Sequence, residues 1–153
     1  MYRKITLISS FILVIDQIIK YLFSNYITGF VLIPNFISFV YAENKGVAFS
    51  MLSGSRIFII LMTIFLCFII TYMLKKEKYN KKNEKLIILS YGFLFGGILG
   101  NLLDRIIRGY VIDYVSLNLV GYRFPIFNLA DLFITIGVIL LLIKSFKEDK
   151  GHA

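Results

Sequence analysis

The stretch IFIILMTIFLCFIITYML, Ile57–Leu74, runs for eighteen residues without a charge. The hydrocarbon core of a bilayer takes roughly 20 residues of helix to cross. Inside lipid the backbone has no water to bond, so such a segment must satisfy its own N–H and C=O groups as a helix. Its Ile and Phe favour strands in water, and lipid overrides that preference. Similar stretches lie at about Ile5–Phe23, Leu86–Leu103 and Ile126–Phe146. The 153-residue chain is 58% hydrophobic, with a mean hydropathy of +0.80. A soluble domain is about 45–50% apolar, and one core cannot hide the excess. The sequence therefore predicts an all-α membrane protein with four transmembrane helices. No repeat, linker or low-complexity tract divides it, so residues 1–153 read as one integral domain.

Charge sets the expected orientation. The second span runs into KKEKYNKKNEK, Lys75–Lys85, which carries six lysines. Arg3 and Lys4 precede the first span, and Lys144, Lys147 and Lys150 follow or close the fourth. Eleven of the seventeen basic residues thus fall on one side, and the positive-inside rule makes that side cytoplasmic, with both termini. The net charge of +8 is accordingly a topology signal with some attraction to anionic lipid, and nucleic acid is not an expected partner. Arg3 and Lys4 before an apolar run also fit a cleavable signal peptide, but Asp16 interrupts that run and no small-residue cleavage site follows. The first span is read as retained. Cys67, alone and mid-span, reads as a small hydrophobe.

Two connections then face outward, at about Ser24–Arg56 and Ile107–Pro125. The first contains FVLIPNFISFVY, Phe30–Tyr41, whose aromatic and β-branched residues, split by Pro34, predict two short strands. They are expected to form a small extracytoplasmic sheet resting on the membrane surface. The second connection carries an apolar piece, Tyr110–Val115, after Gly109. It ends in Pro125, a residue suited to the first turn of the fourth helix.

Ionisable residues inside a span are costly and mark functional sites by default. With the orientation above, Asp16 and Lys20 share a face in the outer half of the first span, four residues apart and able to pair. The third span ends in GNLLDR, Gly100–Arg105, where Asn101 and Asp104 share a face, with Arg105 and Arg108 beyond. The fourth begins FNLAD, Phe127–Asp131, which places Asn128 and Asp131 together. Asp113 and Asn44, in the outer loops, lie at the same level. The second span, uncharged, is expected to supply packing surface. Such amides and charges either glue helices together or form a reactive site. Asp113 and Asp131 differ from the others in lacking a basic partner at helical spacing. A pair of carboxylates in a low-dielectric pocket shares one proton, which supplies both a base for water and an acid for a leaving amine. His152 is the only histidine, and the His and Cys ligands of a zinc site are lacking, so neither metal nor cofactor is expected. A small proton-coupled transporter is the alternative class, although a transport path places polar groups nearer the midplane.

Five ordered motifs, DQIIK (Asp16–Lys20), ENKGVAF (Glu43–Phe49), GNLLDR, VIDY (Val111–Tyr114) and FNLAD, give the chain a resemblance along nearly its whole length to the bacterial lipoprotein signal peptidases, or type II signal peptidases. The resemblance implies four transmembrane helices with a small extracytoplasmic β-cradle and a second extracytoplasmic loop, in the bacterial cytoplasmic membrane. It implies an aspartyl endopeptidase with Asp113 and Asp131 as the catalytic pair. The substrate would be a diacylglyceryl-modified prolipoprotein, cut just before the lipidated cysteine. Asp16, Lys20, Asn44, Asn101, Asp104, Arg105 and Asn128 would line or brace the site, and the cyclic peptide globomycin would inhibit. The chain departs from the family pattern at Val47 and Ser50, where Ala and Gly are common, and at Leu132, where Ser is usual.

Overall fold

The structure is a computed structural model that describes residues 1–46, 54–77, 83–119 and 121–149; Val47, Ser50, His152 and the middle of the lysine-rich loop lie outside these. The order of elements is α1 (Tyr2–Asn25), β1 (Gly29–Ile33), β2 (Ile37–Asn44), α2 (Arg56–Lys76), α3 (Glu84–Ile107), β3 (Val111–Leu119), β4 (Tyr122–Arg123) and α4 (Leu129–Asp149). All four helices are long and apolar enough to cross a bilayer, as the sequence predicts.

Burial ranks the helices. Two-thirds of the α3 span, 67%, is buried, against 28% of α1 and 17% each of α2 and α4. α3 is therefore the central post, and glycine makes that possible. A Cβ on Gly97 would stand 2.4 Å from the Ala130 carbonyl oxygen of α4, and one on Gly100 2.6 Å from Asp16 Oδ2 of α1. Small residues let helix backbones approach closely where lipid offers no hydrophobic drive for association. The main apolar cluster gathers Ile5 of α1, Ile70 and Leu74 of α2, and Ile87, Ile88, Tyr91, Leu94 and Ile98 of α3. α2 contributes less packing surface than its apolar sequence implies: only Ile59, Ile70 and Leu74 are buried. Polar contacts hold its two ends. Arg56 Nε and Nη2 donate to the carbonyls of Arg105 and Ile106, both at 2.8 Å. At the other end Glu77 accepts from Tyr91 Oη at 2.9 Å and pairs with Lys144.

The expected strands in Phe30–Tyr41 form as β1 and β2, joined by a turn in which Pro34 precedes Asn35 at φ 57°, and Phe36 N–H donates to Ile33 O at 3.1 Å. Pro before a positive-φ Asn is a pairing that tight turns favour. The second outer connection is more than a loop. β3 completes an antiparallel sheet of order β1-β2-β3-β4, so both connections build one structure. It packs on the end of α1 through Phe23, which stacks on Tyr114 with centroids 4.5 Å apart.

The fourth helix begins later than Ile126, and Pro125 is not in its first turn. Phe127 is extended and exchanges hydrogen bonds with Val115 at 3.0 and 2.8 Å. Asn128 then caps the helix: its Oδ1 accepts from Asp131 N–H at 3.0 Å, while Asp131 Oδ2 accepts from Asn128 N–H at 3.2 Å. This reciprocal cap satisfies two backbone donors at once, and it outweighs the preference of Pro for a first turn.

Candidate active site

The site is built around a lysine. Lys20 and its neighbours Asp16 and Asp104 are each 0% exposed. Lys20 Nζ lies 2.8 Å from Asp16 Oδ2 and 2.9 Å from Asp104 Oδ2, and donates to Asn101 Oδ1 at 2.8 Å. Three donors thus meet three acceptors, as a buried ammonium requires. Each carboxylate also ties in a second segment. Asp16 Oδ1 accepts from Ala130 N–H of α4 at 3.1 Å, and Asp104 Oδ2 from Ile112 N–H of β3 at 3.3 Å. The expected pairing of Asp16 with Lys20 is present. Asp104 turns to Lys20 and Arg108 rather than to its sequence neighbour Arg105, because adjacent helical residues do not face each other.

This hub sets the orientation of the next layer. Since Lys20 occupies Asn101 Oδ1, the amide nitrogen must point the other way, and it donates to Asp131 Oδ1 at 2.7 Å. Asn128 Nδ2 lies 3.1 Å from Asn101 Oδ1 and 2.6 Å from Asp113 Oδ1. Asn44 Nδ2 donates to Asp113 Oδ2 at 3.0 Å, while its Oδ1 accepts from Gly46 N–H at 3.0 Å. In the sheet Ala42 pairs with Asp113 and Asn44 with Val111, so Asn44 and Asp113 are diagonal neighbours on one face. Arg105 Nη2 donates to Gly46 O at 2.9 Å and Nη1 to Asn101 O at 3.2 Å.

Asp113 and Asp131 therefore reach one place by different routes, from the sheet and from the capped start of α4. Both line a cavity of about 370 Å³ shared with Asn44, Asn101, Arg105 and Thr135. Burial pushes the Asp113 carboxyl up to about 6 from its ordinary 3.8. The neighbouring Asp131 charge adds to this rise, while donors from Asn44 and Asn128 and the Lys20 charge oppose it. Every polar residue singled out in the sequence is in this assembly.

Sequence reasoning missed four contributors. Gln17 Nε2 donates to Asp104 Oδ1 at 3.0 Å and to Gly100 O at 3.2 Å, and its Oε1 accepts from Arg108 at 3.1 Å. Its position beside Asp16 in an apolar span was the available signal. Tyr114 Oη accepts from Leu129 N–H at 3.0 Å, holding the first residue of α4. Arg56 and Glu77, which fasten α2, looked like charges outside the spans. Among the described residues no group of three or more His, Cys, Asp and Glu side chains is placed to hold a metal ion.

Four helices able to cross a membrane, a small sheet over one end, and two carboxylates, one buried and one half-buried, in a single cavity there fit a membrane enzyme of the hydrolytic kind. Comparison with known proteins narrows the class. The family model described as signal peptidase (SPase) II matches residues 8–147, and the chain belongs to that peptidase family. Lipoprotein signal peptidases of Staphylococcus aureus, from strains JH9 and Newman among others, are 38% identical over 149 residues, covering 95% of this chain and 89% of theirs. Two solved structures of a bacterial membrane enzyme, obtained by the in meso method at 2.3 and 1.9 Å, superpose with TM-scores of 0.86 and 0.81. Their sequence identities are 34% and 35%, covering 97% and 94% of this chain and 91% and 92% of those chains.

Proposed function

We propose that the chain is an intramembrane aspartyl endopeptidase that removes the signal peptide from diacylglyceryl-modified prolipoproteins, cutting just before the lipidated cysteine. The observation that carries this reading is the pair Asp113, buried, and Asp131, half-buried, which line one cavity and are joined through Asn128. The relatives named lipoprotein signal peptidase supply the substrate class. A water held between the carboxylates loses a proton to the ionised member and attacks the scissile carbonyl. The protonated member polarises that carbonyl, and the pair then delivers a proton to the leaving amine. Burial pushes the Asp113 carboxyl up to about 6, and the two carboxylates act as one pair that holds a single proton, with neither role fixed to one member.

The remaining residues hold this arrangement. Lys20, Asp16 and Asp104 fix Asn101 and the start of α4. Asn44 and Arg105 present polar groups to the substrate backbone, while the fully buried Asn128 holds Asp113 and the start of α4. The acyl chains stay dissolved in the bilayer, so the substrate approaches sideways. In this reading the cytoplasmic membrane holds the protein with both termini inside, and the site lies at the extracytoplasmic face, where the mature part of the substrate already is. Globomycin, a cyclic peptide, is expected to occupy the same cavity. No cofactor takes part.

A gel-shift assay with a diacylglyceryl-modified prolipoprotein in liposomes tests the reading. Wild type is expected to cleave, and folded Asp113→Asn and Asp131→Asn to lose activity at least ~100-fold, the low end for removal of an acid–base group. Cleavage surviving in either variant rules out the two-carboxylate mechanism.

A further inference from the structure

Beyond the cavity holding both aspartates, the open face of the sheet carries a second hollow and a third. One, of about 380 Å³, is lined by Ala42, Glu43, Asn44, Asp113, Arg123 and the Pro125–Ile126 turn. The other, of about 290 Å³, is floored by Val31, Ser38, Ser116, Asn118 and Arg123. Arg123 belongs to both. Three residues separate Asp113 from Ser116, and in a regular strand that spacing puts side chains on opposite faces. A bulge in β3 removes the conflict. Tyr114 and Val115 both donate backbone N–H to the single Phe127 carbonyl, at 3.1 and 2.8 Å, and both pack in the apolar cluster around Phe23. The register of β2 shifts at the same level, between Phe39 and Ala42. Below the bulge the buried Asp113 lies on the sheet face away from the Phe23 cluster, and above it Ser116 and Asn118 line the hollow on that face. Ser116 pairs with Ser38 and Ser38 with Val31, while Asn118 pairs with Arg123. The result is one polar track leading away from Asp113.

We infer that this track binds the extended segment that follows the cut, the start of the mature lipoprotein, and that Arg123 selects there for an acidic side chain. The inference rests on the peptidase reading above. A peptide bond placed at Asp113 has one flank in the cavity between α3 and α4, which leaves the hollows above Asp113 for the other flank. Asn118 stands five residues up β3 from Asp113, or about 16 Å at roughly 3.3 Å per residue. An extended peptide covers that distance in about five residues, and an arginine reaching back from the neighbouring strand meets the third to fifth. Hydroxyl and amide side chains line the track, suited to a polar, unstructured segment. Arg123 is exposed and makes no ion pair with any described residue, so its charge is open to a carboxylate.

The test uses diacylglyceryl-modified peptides that carry Asp, Asn or Lys at the fourth residue past the cut, in liposomes at low salt. An exposed pair is worth about a threefold effect. Wild type is expected to show kcat/KM for the Asp peptide about threefold above Asn and about tenfold above Lys, mostly through KM. Arg123→Gln flattens the series and Arg123→Glu inverts it, with the change carried by KM. Asn118→Lys, which adds a cation at the paired position, steepens the series in an enzyme that keeps Arg123. Equal ratios in active wild type and Arg123→Glu overturn the track and leave the peptidase standing. A wild type that cuts none of the peptides overturns both.

Discussion

Gly97 is the tightest point between the central helix and the helix that carries Asp131. A Cβ there would lie 2.4 Å from the Ala130 carbonyl oxygen and 2.7 Å from Ile134 Cγ1, where ordinary contact begins at 3.4 Å. The obstacle is backbone and cannot rotate aside, so Gly97→Ala has to push α4 away by about 1 Å. Ala130 directly precedes Asp131, and its N–H is held by Asp16, so the shift falls on the carboxylate. A misplacement of about 1 Å in a reacting group costs on the order of 100-fold in rate, and an overpacked methyl costs about 1–3 kcal/mol in stability. Gly92→Ala is the control. Its Cβ would meet Ile8 Cγ2 at 2.8 Å, on the α1-facing side of α3 and nearly one and a half turns further from the site. Both variants are expected to melt a few degrees lower in detergent. Below the melting transition, only Gly97→Ala is expected to lose kcat/KM about 100-fold in the gel-shift assay. Wild-type cleavage by folded Gly97→Ala, or an equal loss in Gly92→Ala, refutes the reasoning.

Further outcomes follow from the hydrogen bonds. Asp113 binds its proton more tightly folded than unfolded, so stability declines as pH rises from about 4 to about 6 and stays lower above that. At ~1.4 kcal/mol per unit of pKa the decline is about 3 kcal/mol. Asp113→Asn removes it, and the melting temperature of the variant relative to wild type is expected to be higher at pH 7.5 than at pH 4.5. Asn128→Asp keeps an acceptor for the helix cap but places a third carboxylate beside the pair, whereas Asn128→Ser keeps the cap alone. Both are expected to lose most cleavage, the serine because its hydroxyl is too short to reach Asp113 and the aspartate because it sets a like charge against it; the serine variant is expected to fold to within the ~1 kcal/mol worth of a cap. Leu132 is 45% exposed and lines none of the cavities around Asp113, so Leu132→Ser is expected to leave kcat/KM within twofold of wild type.

Lipid makes the helices of this chain legible, since an uncharged run such as Ile57–Leu74 has no other way to satisfy its backbone. The strands were legible for a different reason: aromatic and β-branched residues around Pro34 have little alternative in a connection between two spans. The start of α4 was misjudged because Pro125 and the Asn128–Asp131 cap are competing signals, and local spacing does not rank them. Polar residues at helical spacing marked the level of the site. Which partner each side chain takes depends on rotation about the helix axes, and that is fixed by close approaches at Gly97 and Gly100. Neither β-bulge leaves a mark in composition. Glu77 was hidden among the lysines that follow the second span, although it fastens α2 to Lys144.

The Lys20 hub has a consequence for how the protein is made. Its three acceptors, Asp16, Asn101 and Asp104, all precede Arg105, so a nascent chain can neutralise its most deeply buried cation once the third span is in place. Asp113 and Asp131 are synthesised afterwards, and the strand and helix that carry them bring the hub its remaining donors, Ile112 N–H to Asp104 and Ala130 N–H to Asp16. Biosynthesis in this order supplies the partners of the buried cation before it completes the machinery.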